Sequence, residues 1–249
     1  MPSSARRTPH RKNVYFFSDV HLGLGTKDQD RAKELRVVGF LQHVLRDGAE
    51  LFIVGDLFDY WFEYESVIPK GYARIFGALA ALHDAGVRMT YLAGNHDFWL
   101  RSYLTDEFGI QIFQNEVVHE FSGKRFYIHH GDGLFRADSG YRLLKRILRN
   151  KVNIFLFSLL HPTVTGRIAR WSSRTSRKHT GNIKFEGNEM VEFAEEKIRH
   201  GFDYVLMGHN HQSLFHPYRH GAYINLGNWI DENSYAVFDG KKLSLREWK

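Results

Sequence analysis

The sequence predicts an α/β domain, with strands gathered at the centre and helices outside, and three observations carry that prediction. Short apolar runs alternate with helical patterns between Asn13 and Asp97. Those runs, and two later ones, stop abruptly in polar clusters, the usual place for ligand sites in open α/β sheets. A chain of 249 residues, 43% hydrophobic and 15% aromatic, also buries a substantial core. We expect a single domain over residues 1–249, with residues 134–184 as an insert.

Asn13–Ser18 reads as a first buried strand, running into Asp19-Val20-His21. Asp30–Asp47 reads as a helix, because Leu35, Val38, Leu41, Val44 and Leu45 keep three-to-four spacing and Asp47-Gly48 closes it. Glu50–Val54 is the second strand and ends at Gly55-Asp56, so a parallel pair with a right-handed crossover is the default. Ala73–Ala85 repeats the helical pattern through Ile75, Phe76, Leu79 and Leu82, with Gly86 as its stop. Val87–Ala93 is a third strand, ending at Gly94-Asn95-His96-Asp97.

Shorter strands follow at Ile110–Phe113, Val117–Phe121 and Arg125–His129, the last two joined as a hairpin across Ser122-Gly123-Lys124. Within the insert, residues 141–151 read as an amphipathic helix and Pro162–Arg174 as a second. A helix over Asn188–His200 and a strand over Asp203–Met207 lead to Gly208-His209-Asn210-His211, and short strands close the chain through Trp248.

No cysteine is present, which excludes disulfides, thiolate metal sites and a thiol nucleophile, and leaves His, Asp, Asn and Glu as the available metal ligands. Fifteen histidines make such a site feasible. Met1–Lys12 shows no signal-type apolar run and no stretch is long and uncharged enough to span a bilayer, so the expected location is the cytosol or a membrane surface. The net charge of +6 is very unevenly spread: residues 133–184 hold twelve Lys or Arg against one acid, Asp138, whereas the rest holds 22 basic and 27 acidic residues.

The polar clusters suggest a two-metal centre. Such a site needs one carboxylate placed to touch both ions, and Asp56, at the end of a buried strand, is the candidate bridge. Asp19 with His21, and His209 with His211, lie two residues apart just past an extended strand, so each pair can point one way and chelate. Each piece alone has a plainer reading. A strand-end Asp often caps a turn, Asn95-His96-Asp97 could cap a helix starting near Phe98, and His129-His130 could be two faces of one strand. The ordered set is what favours metal.

As an ordered set, Asp19-x-His21, Gly55-Asp56-x-x-Asp59, Gly94-Asn95-His96-Asp97, His130-Gly131-Asp132 and Gly208-His209-x-His211 resemble the five motifs of the calcineurin-like metallophosphoesterase superfamily. The resemblance implies a four-layer α-β-β-α sandwich with a helical cap insert. It also implies two divalent metal ions, Mn²⁺ foremost with Fe²⁺ or Zn²⁺ possible, one on Asp19, His21, Asp56 and His211 and the other on Asp56, Asn95, His130 and His209. The implied chemistry is hydrolysis of a phosphate ester or anhydride. His96 would protonate or stabilise the transition state, oriented by Asp97 or a neighbouring carboxylate.

The flanking sequence narrows this. Gly55-Asp56-Leu57-Phe58-Asp59-Tyr60-Trp61, and His130-Gly131-Asp132 followed by Asp138-x-x-Tyr141, resemble the UDP-2,3-diacylglucosamine pyrophosphatase branch, whose insert caps an acyl-chain groove. This implies a lipid-linked nucleotide sugar as partner, lipid A assembly as the setting, and Asn95, His96, Asp138 and Tyr141 as substrate contacts. His96 is a departure, since the best-known members carry Arg there.

The basic insert admits three readings: a solvated basic face, a nucleic-acid patch, or a lid touching lipid and anionic head groups. Its many Leu and Phe residues favour the third, with no nucleic acid expected and a peripheral location on the inner face of the cytoplasmic membrane. Another phosphodiester or nucleotide hydrolase is the enzymatic alternative, and a non-catalytic scaffold on the same fold is the other.

Overall fold

The computed structural model describes residues 13–134, 145–168 and 186–249. Its strands, in chain order, are β1 (Asn13–Phe17), β2 (Gly48–Val54), β3 (Arg88–Leu92), β4 (Gln111–Phe113), β5 (Val117–Phe121), β6 (Lys124–Ile128), β7 (Tyr204–Met207), β8 (Ser213–Tyr218), β9 (Gly221–Leu226), β10 (Ser234–Phe238) and β11 (Leu243–Glu247). They form a six-stranded sheet, β11-β10-β1-β2-β3-β4, and a five-stranded sheet, β5-β6-β7-β9-β8. β1 to β4 run parallel, as do β6, β7 and β9. The β5–β6 hairpin forms as expected.

Successive side chains on a strand point to opposite faces, so each buried strand serves two cores. On β1, Val14 and Phe16 point between the sheets while Tyr15 and Phe17 face the helices α1 (Lys27–Asp47) and α2 (Ala73–Asp84). On β2, Phe52 and Val54 point inward, and Leu51 and Ile53 outward. In the second sheet Phe126, Ile128, Leu206 and Ile224 fill the middle; Tyr127, Val205, Met207 and Tyr223 meet Met190, Ala194 and Ile198 of the helix Glu186–Arg199. This is the four-layer sandwich. Phe16 and Phe126 stack across its middle, ring centroids 5.9 Å apart.

Some elements differ from the sequence reading. α1 starts at Lys27 because Thr26 and Gln29 close a capping box, and its packed face runs through Val37, Phe40, Leu41 and Val44. Leu35, expected on that face, is 51% exposed. An unexpected short helix, α3 (Tyr103–Phe108), ends at Gly109, whose φ of 63° suits a residue without a side chain. Its start has no side-chain cap of its own, but buried Glu63 accepts from the backbone N–H of Arg101, Ser102 and Tyr103 at 2.9, 3.0 and 2.8 Å. Glu63→Ala strands those donors and is expected to cost about 1–3 kcal/mol of stability, seen as a lower urea midpoint at unchanged slope.

In the insert, residues 145–148 are helical. Asn150 then begins a new helix, Lys151–Ser158, by accepting the Val152 N–H on its side chain at 2.9 Å. The single helix expected over 141–151 is therefore interrupted. Residues 162–168 are helical, in line with the start of Pro162–Arg174. The remainders of both expected helices lie outside the described residues.

Candidate metal centre

Five parallel strands, β1, β2, β3, β6 and β7, deliver the five polar clusters to one edge of the sandwich. Backbone bonds then splice the loops together. Val20 and His21 both donate to the Asp56 carbonyl at 2.9 Å, and Gly208 donates to that of His130 at 2.9 Å. Gly94 and Gly208 must be glycine for a steric reason, since a Cβ at either would run into the carboxylate of Asp56 or Asp19.

Asp19, His21, Asp56, His209 and His211 all adopt left-handed backbone conformations, with φ of 54°, 50°, 54°, 74° and 59°. This corrects the expectation that each two-residue pair chelates by simple strand alternation. The chain has already left the strand, and a tight turn, sparsely populated for non-glycine residues, swings both side chains inward.

The side chains converge on Asp56. Its Oδ2 lies 3.7 Å from His21 Nε2 on one side and 3.4 Å from His130 Nε2 on the other. On the first side, His211 Nε2 is 3.0 Å from His21 Nε2 and 3.3 Å from Asp19 Oδ1. On the second, Asn95 Oδ1 is 3.0 Å from both His130 Nε2 and His209 Nδ1. The seven residues expected as ligands thus fall into two groups that share one carboxylate. His130 is also separated from its neighbour: it faces this cluster, whereas His129 turns back to accept the Gly131 N–H at 2.8 Å.

Surrounding groups fix the rings. His130 donates from Nδ1 to the Val54 carbonyl at 2.8 Å, which leaves Nε2 without a proton in the neutral ring. Ser18 and the His209 N–H hold Asp19 Oδ2 at 2.6 and 2.9 Å, so its Oδ1 is buried and makes no hydrogen bond. His96 donates its backbone N–H to Asp56 Oδ1 at 2.9 Å and its ring Nδ1 to the Asp59 carbonyl at 3.1 Å.

Of the two alternatives expected to orient His96, Asp97 or a neighbouring carboxylate, Asp97 is not the one beside the ring. It is buried beneath the loops, accepting from the N–H groups of Gly94, Asp56 and Phe58 and from the Tyr91 hydroxyl. The carboxylate next to His96 is Asp59, 3.6 Å from its Nδ1 and 3.5 Å from His21 Nδ1. The sequence reading placed Asp59 in the motif Gly55-Asp56-x-x-Asp59 but gave it no role. Asp138 and Tyr141 lie outside the described residues.

Burial would raise the Asp19 carboxyl, but His21 and His211 hold it well below the usual carboxylate range; His130 and His96 do the same for Asp56. Burial works against charge on His21 and His130 too, yet Asp19 and Asp59 lift His21 to about 9, and Asp56 lifts His130 to about 10. His209 has both burial and the His130 charge against it and falls to about 4. Asp97 rises to about 6 through burial and the Asp56 charge.

A model of the calcineurin-like phosphoesterases matches residues 12–213. The chain belongs to that family. Among curated relatives of this calcineurin-like phosphoesterase, UDP-2,3-diacylglucosamine hydrolase of Porphyromonas gingivalis is 36% identical over 94% of this chain and 97% of the relative. Proteins of the same name from Nitrosococcus oceani and Pseudomonas fluorescens are 29% and 28% identical, covering 87% and 90% of this chain and 87% and 94% of their own lengths.

The family implies divalent metal ions, and the residues of this phosphoesterase fit them. Mostly buried carboxylate and imidazole donors gather in overlapping groups, Asp19 with His21 and His211, Asp19 with Asp56 and His130, and His21 with Asp59 and His96, which is the donor chemistry such ions take. A cation held by His21 and His130 would have to displace the protons that their raised pKa values keep on these rings. The raised values mean that these pairs stabilise the metal-free fold fully below the ordinary histidine value and cease to do so as pH rises through about 9 and 10. Cation affinity runs the opposite way. Titration calorimetry of the metal-free chain should show tighter binding at higher pH across that range, with proton release seen as buffer-dependent heat.

Proposed function

We propose that this phosphoesterase hydrolyses the pyrophosphate of UDP-2,3-diacylglucosamine to UMP and 2,3-diacylglucosamine 1-phosphate, the reaction of lipid A assembly. The observation that carries the hydrolytic part is Asp56, whose one oxygen faces His21 and His130 on opposite sides. The near full-length likeness to proteins named for this substrate supports its identity.

On this reading Asp19, His21, Asp56 and His211 hold one ion, and Asp56, Asn95, His130 and His209 the other. Two ions, Mn²⁺ foremost with Fe²⁺ or Zn²⁺ as alternatives, would supply Lewis acidity that acidifies a water and neutralises phosphoryl charge. His96 acts on the leaving side. With Nδ1 tied to the Asp59 carbonyl, Nε2 is the atom available to substrate. Burial lowers the His96 pKa, and a bound pyrophosphate would favour the imidazolium, so that Nε2 can pass its proton to the departing phosphate oxygen. Water supplies the new P–O bond. Asp59 positions His96 and His21, and Asp97 positions the turn that carries Asp56.

A cleft of about 570 Å³ starts at Asp59 and runs between residues 60–72 and residues 162–166, with Phe62, Val67, Ile68 and Pro162 in its walls. Its size and apolar lining suit acyl chains. Asp138 and Tyr141, with Asn95 and His96, remain the proposed contacts to the head group.

The insert also suits an anionic membrane surface on the cytoplasmic side. Val152, Phe155, Leu156 and Leu159 are 55% to 66% exposed beside Lys151, while Phe157 of the same helix turns inward to stack on Trp99 at 5.0 Å. No helix among the described residues is long and apolar enough to cross a membrane. The test compares UDP-2,3-diacylglucosamine with UDP-glucosamine lacking acyl chains. A strong preference for the acylated form is expected, and equal turnover would remove the acyl-cleft reading.

A further inference from the structure

Residues 145–149 of the insert reach the loops of the metal centre at two points, both on the same side of Asp56. Lys145 Nζ is 2.7 Å from the Asp132 carboxylate and 3.3 Å from the Asp132 carbonyl, and Asp132 follows the proposed ligand His130 by two residues. Arg149 donates from one guanidinium nitrogen to the Gln114 carbonyl at 2.9 Å and from another to the Gly94 carbonyl at 3.3 Å. Gly94 is joined directly to Asn95, and the guanidinium also lies 5.2 Å above the Phe98 ring. Between these two anchors, the Trp99 indole donates to the Leu148 carbonyl at 3.2 Å.

Among the described residues, no hydrogen bond or ion pair of the insert reaches Asp19, His21 or His211. The described insert residues also meet Tyr64, whose hydroxyl lies 2.6 Å from Thr165 Oγ1 and 3.2 Å from the Leu160 carbonyl. Asp132 is almost wholly buried. Lys145 thus places its ammonium directly on a buried carboxylate of the turn that follows His130.

We propose that Lys145 and Arg149 are positioning residues through which the insert sets the affinity of one ion only. That ion is the one assigned to Asn95, His130, His209 and Asp56, and the inference rests on the two-ion reading above. Holding the Gly94 carbonyl fixes the peptide that aims Asn95, and holding Asp132 fixes the turn that aims His130. Groups that orient metal ligands in this way are commonly worth ten- to a hundredfold in metal affinity. By linkage, whatever seats the insert, an acylated substrate included, tightens the same ion.

A purely electrostatic role for these cations makes the opposite prediction, because removing a positive charge near the site would strengthen cation binding. The sign of the effect therefore decides. Metal-free full-length chain is titrated calorimetrically with Mn²⁺ alone, for the parent protein, Lys145→Met, Lys145→Arg and Arg149→Met. The parent takes up two ions. In Lys145→Met and Arg149→Met one ion keeps its affinity within about twofold while the other weakens by roughly 10- to 100-fold, and Lys145→Arg restores it.

Equal weakening of both ions, no change in either, or tighter binding overturns the proposal. Uptake of fewer than two ions by the parent overturns the two-ion reading itself, and this inference with it. If circular dichroism shows that a methionine variant does not fold, Arg149→Lys serves instead. It keeps the charge but cannot span both carbonyls, so the same selective weakening is expected, and its absence counts against the proposal.

Discussion

Asp56→Asn is expected to lower kcat/KM by roughly four orders of magnitude, about 5.5 kcal/mol at 1.36 kcal/mol per tenfold, and to reduce the binding of both ions. Asparagine is the informative substitution because Asp56 sits at a φ of 54°, a conformation that asparagine tolerates and alanine does not. Loss of function then reports the missing carboxylate charge rather than an unfolded turn. Asn can still accept from the His96 N–H that now donates to Asp56 Oδ1 at 2.9 Å, so the His96 backbone should stay in place. Equilibrium dialysis of metal together with steady-state kinetics reads both effects, and a variant that retains two tightly bound ions would show that the shared oxygen is not the bridge.

His96→Ala should behave differently. Its side chain is 15% exposed at the site, and its ring packs edge-on against His21, centroids 4.8 Å apart, with its ring hydrogen bond going to the Asp59 carbonyl rather than to a proposed ligand. Both ions should stay, kcat should fall by about 10²- to 10⁴-fold, and KM should change little, because the lost proton donor acts in the transition state. The pH profile adds a second readout, since the alkaline limb that reports protonation of His96 should disappear. A variant with lower metal content, or with an unchanged alkaline limb, would place His96 among the ligands or outside the reaction.

The buried central strands were legible from uninterrupted apolar runs, whereas the four layers came from the family resemblance. Val14 to Phe17 and Leu51 to Val54 are apolar at every position because each strand feeds two cores, and a run of that kind identifies a strand covered on both faces. The start of α1 was also legible in Thr26-x-x-Gln29, a capping signal that the apolar spacing obscured. The break at Asn150 belongs to the same class, a cap-forming residue within an otherwise helical pattern.

The left-handed turns at Asp19, His21, His209 and His211 were not legible. An Asp-x-His or His-x-His spacing says nothing about the sign of φ, which tertiary bonds such as Val20 and His21 to the Asp56 carbonyl impose. The roles of Asp97 and Asp59 could not be separated from spacing either. Both follow a candidate ligand closely, and only the fold sends Asp97 beneath the loops and Asp59 between the rings of His21 and His96. Leu35 shows the converse limit. It keeps the helical spacing of the buried residues, yet the packed face of α1 is rotated towards Val37 and Phe40.

The central claim is that one carboxylate joins two metal positions. Anomalous diffraction from crystals loaded with Mn²⁺ tests it most directly. Two peaks are predicted, roughly 3.5 to 4 Å apart, with Asp56 touching both, Asp19, His21 and His211 around one, and Asn95, His130 and His209 around the other. A single peak, or two peaks of which Asp56 touches only one, would contradict it.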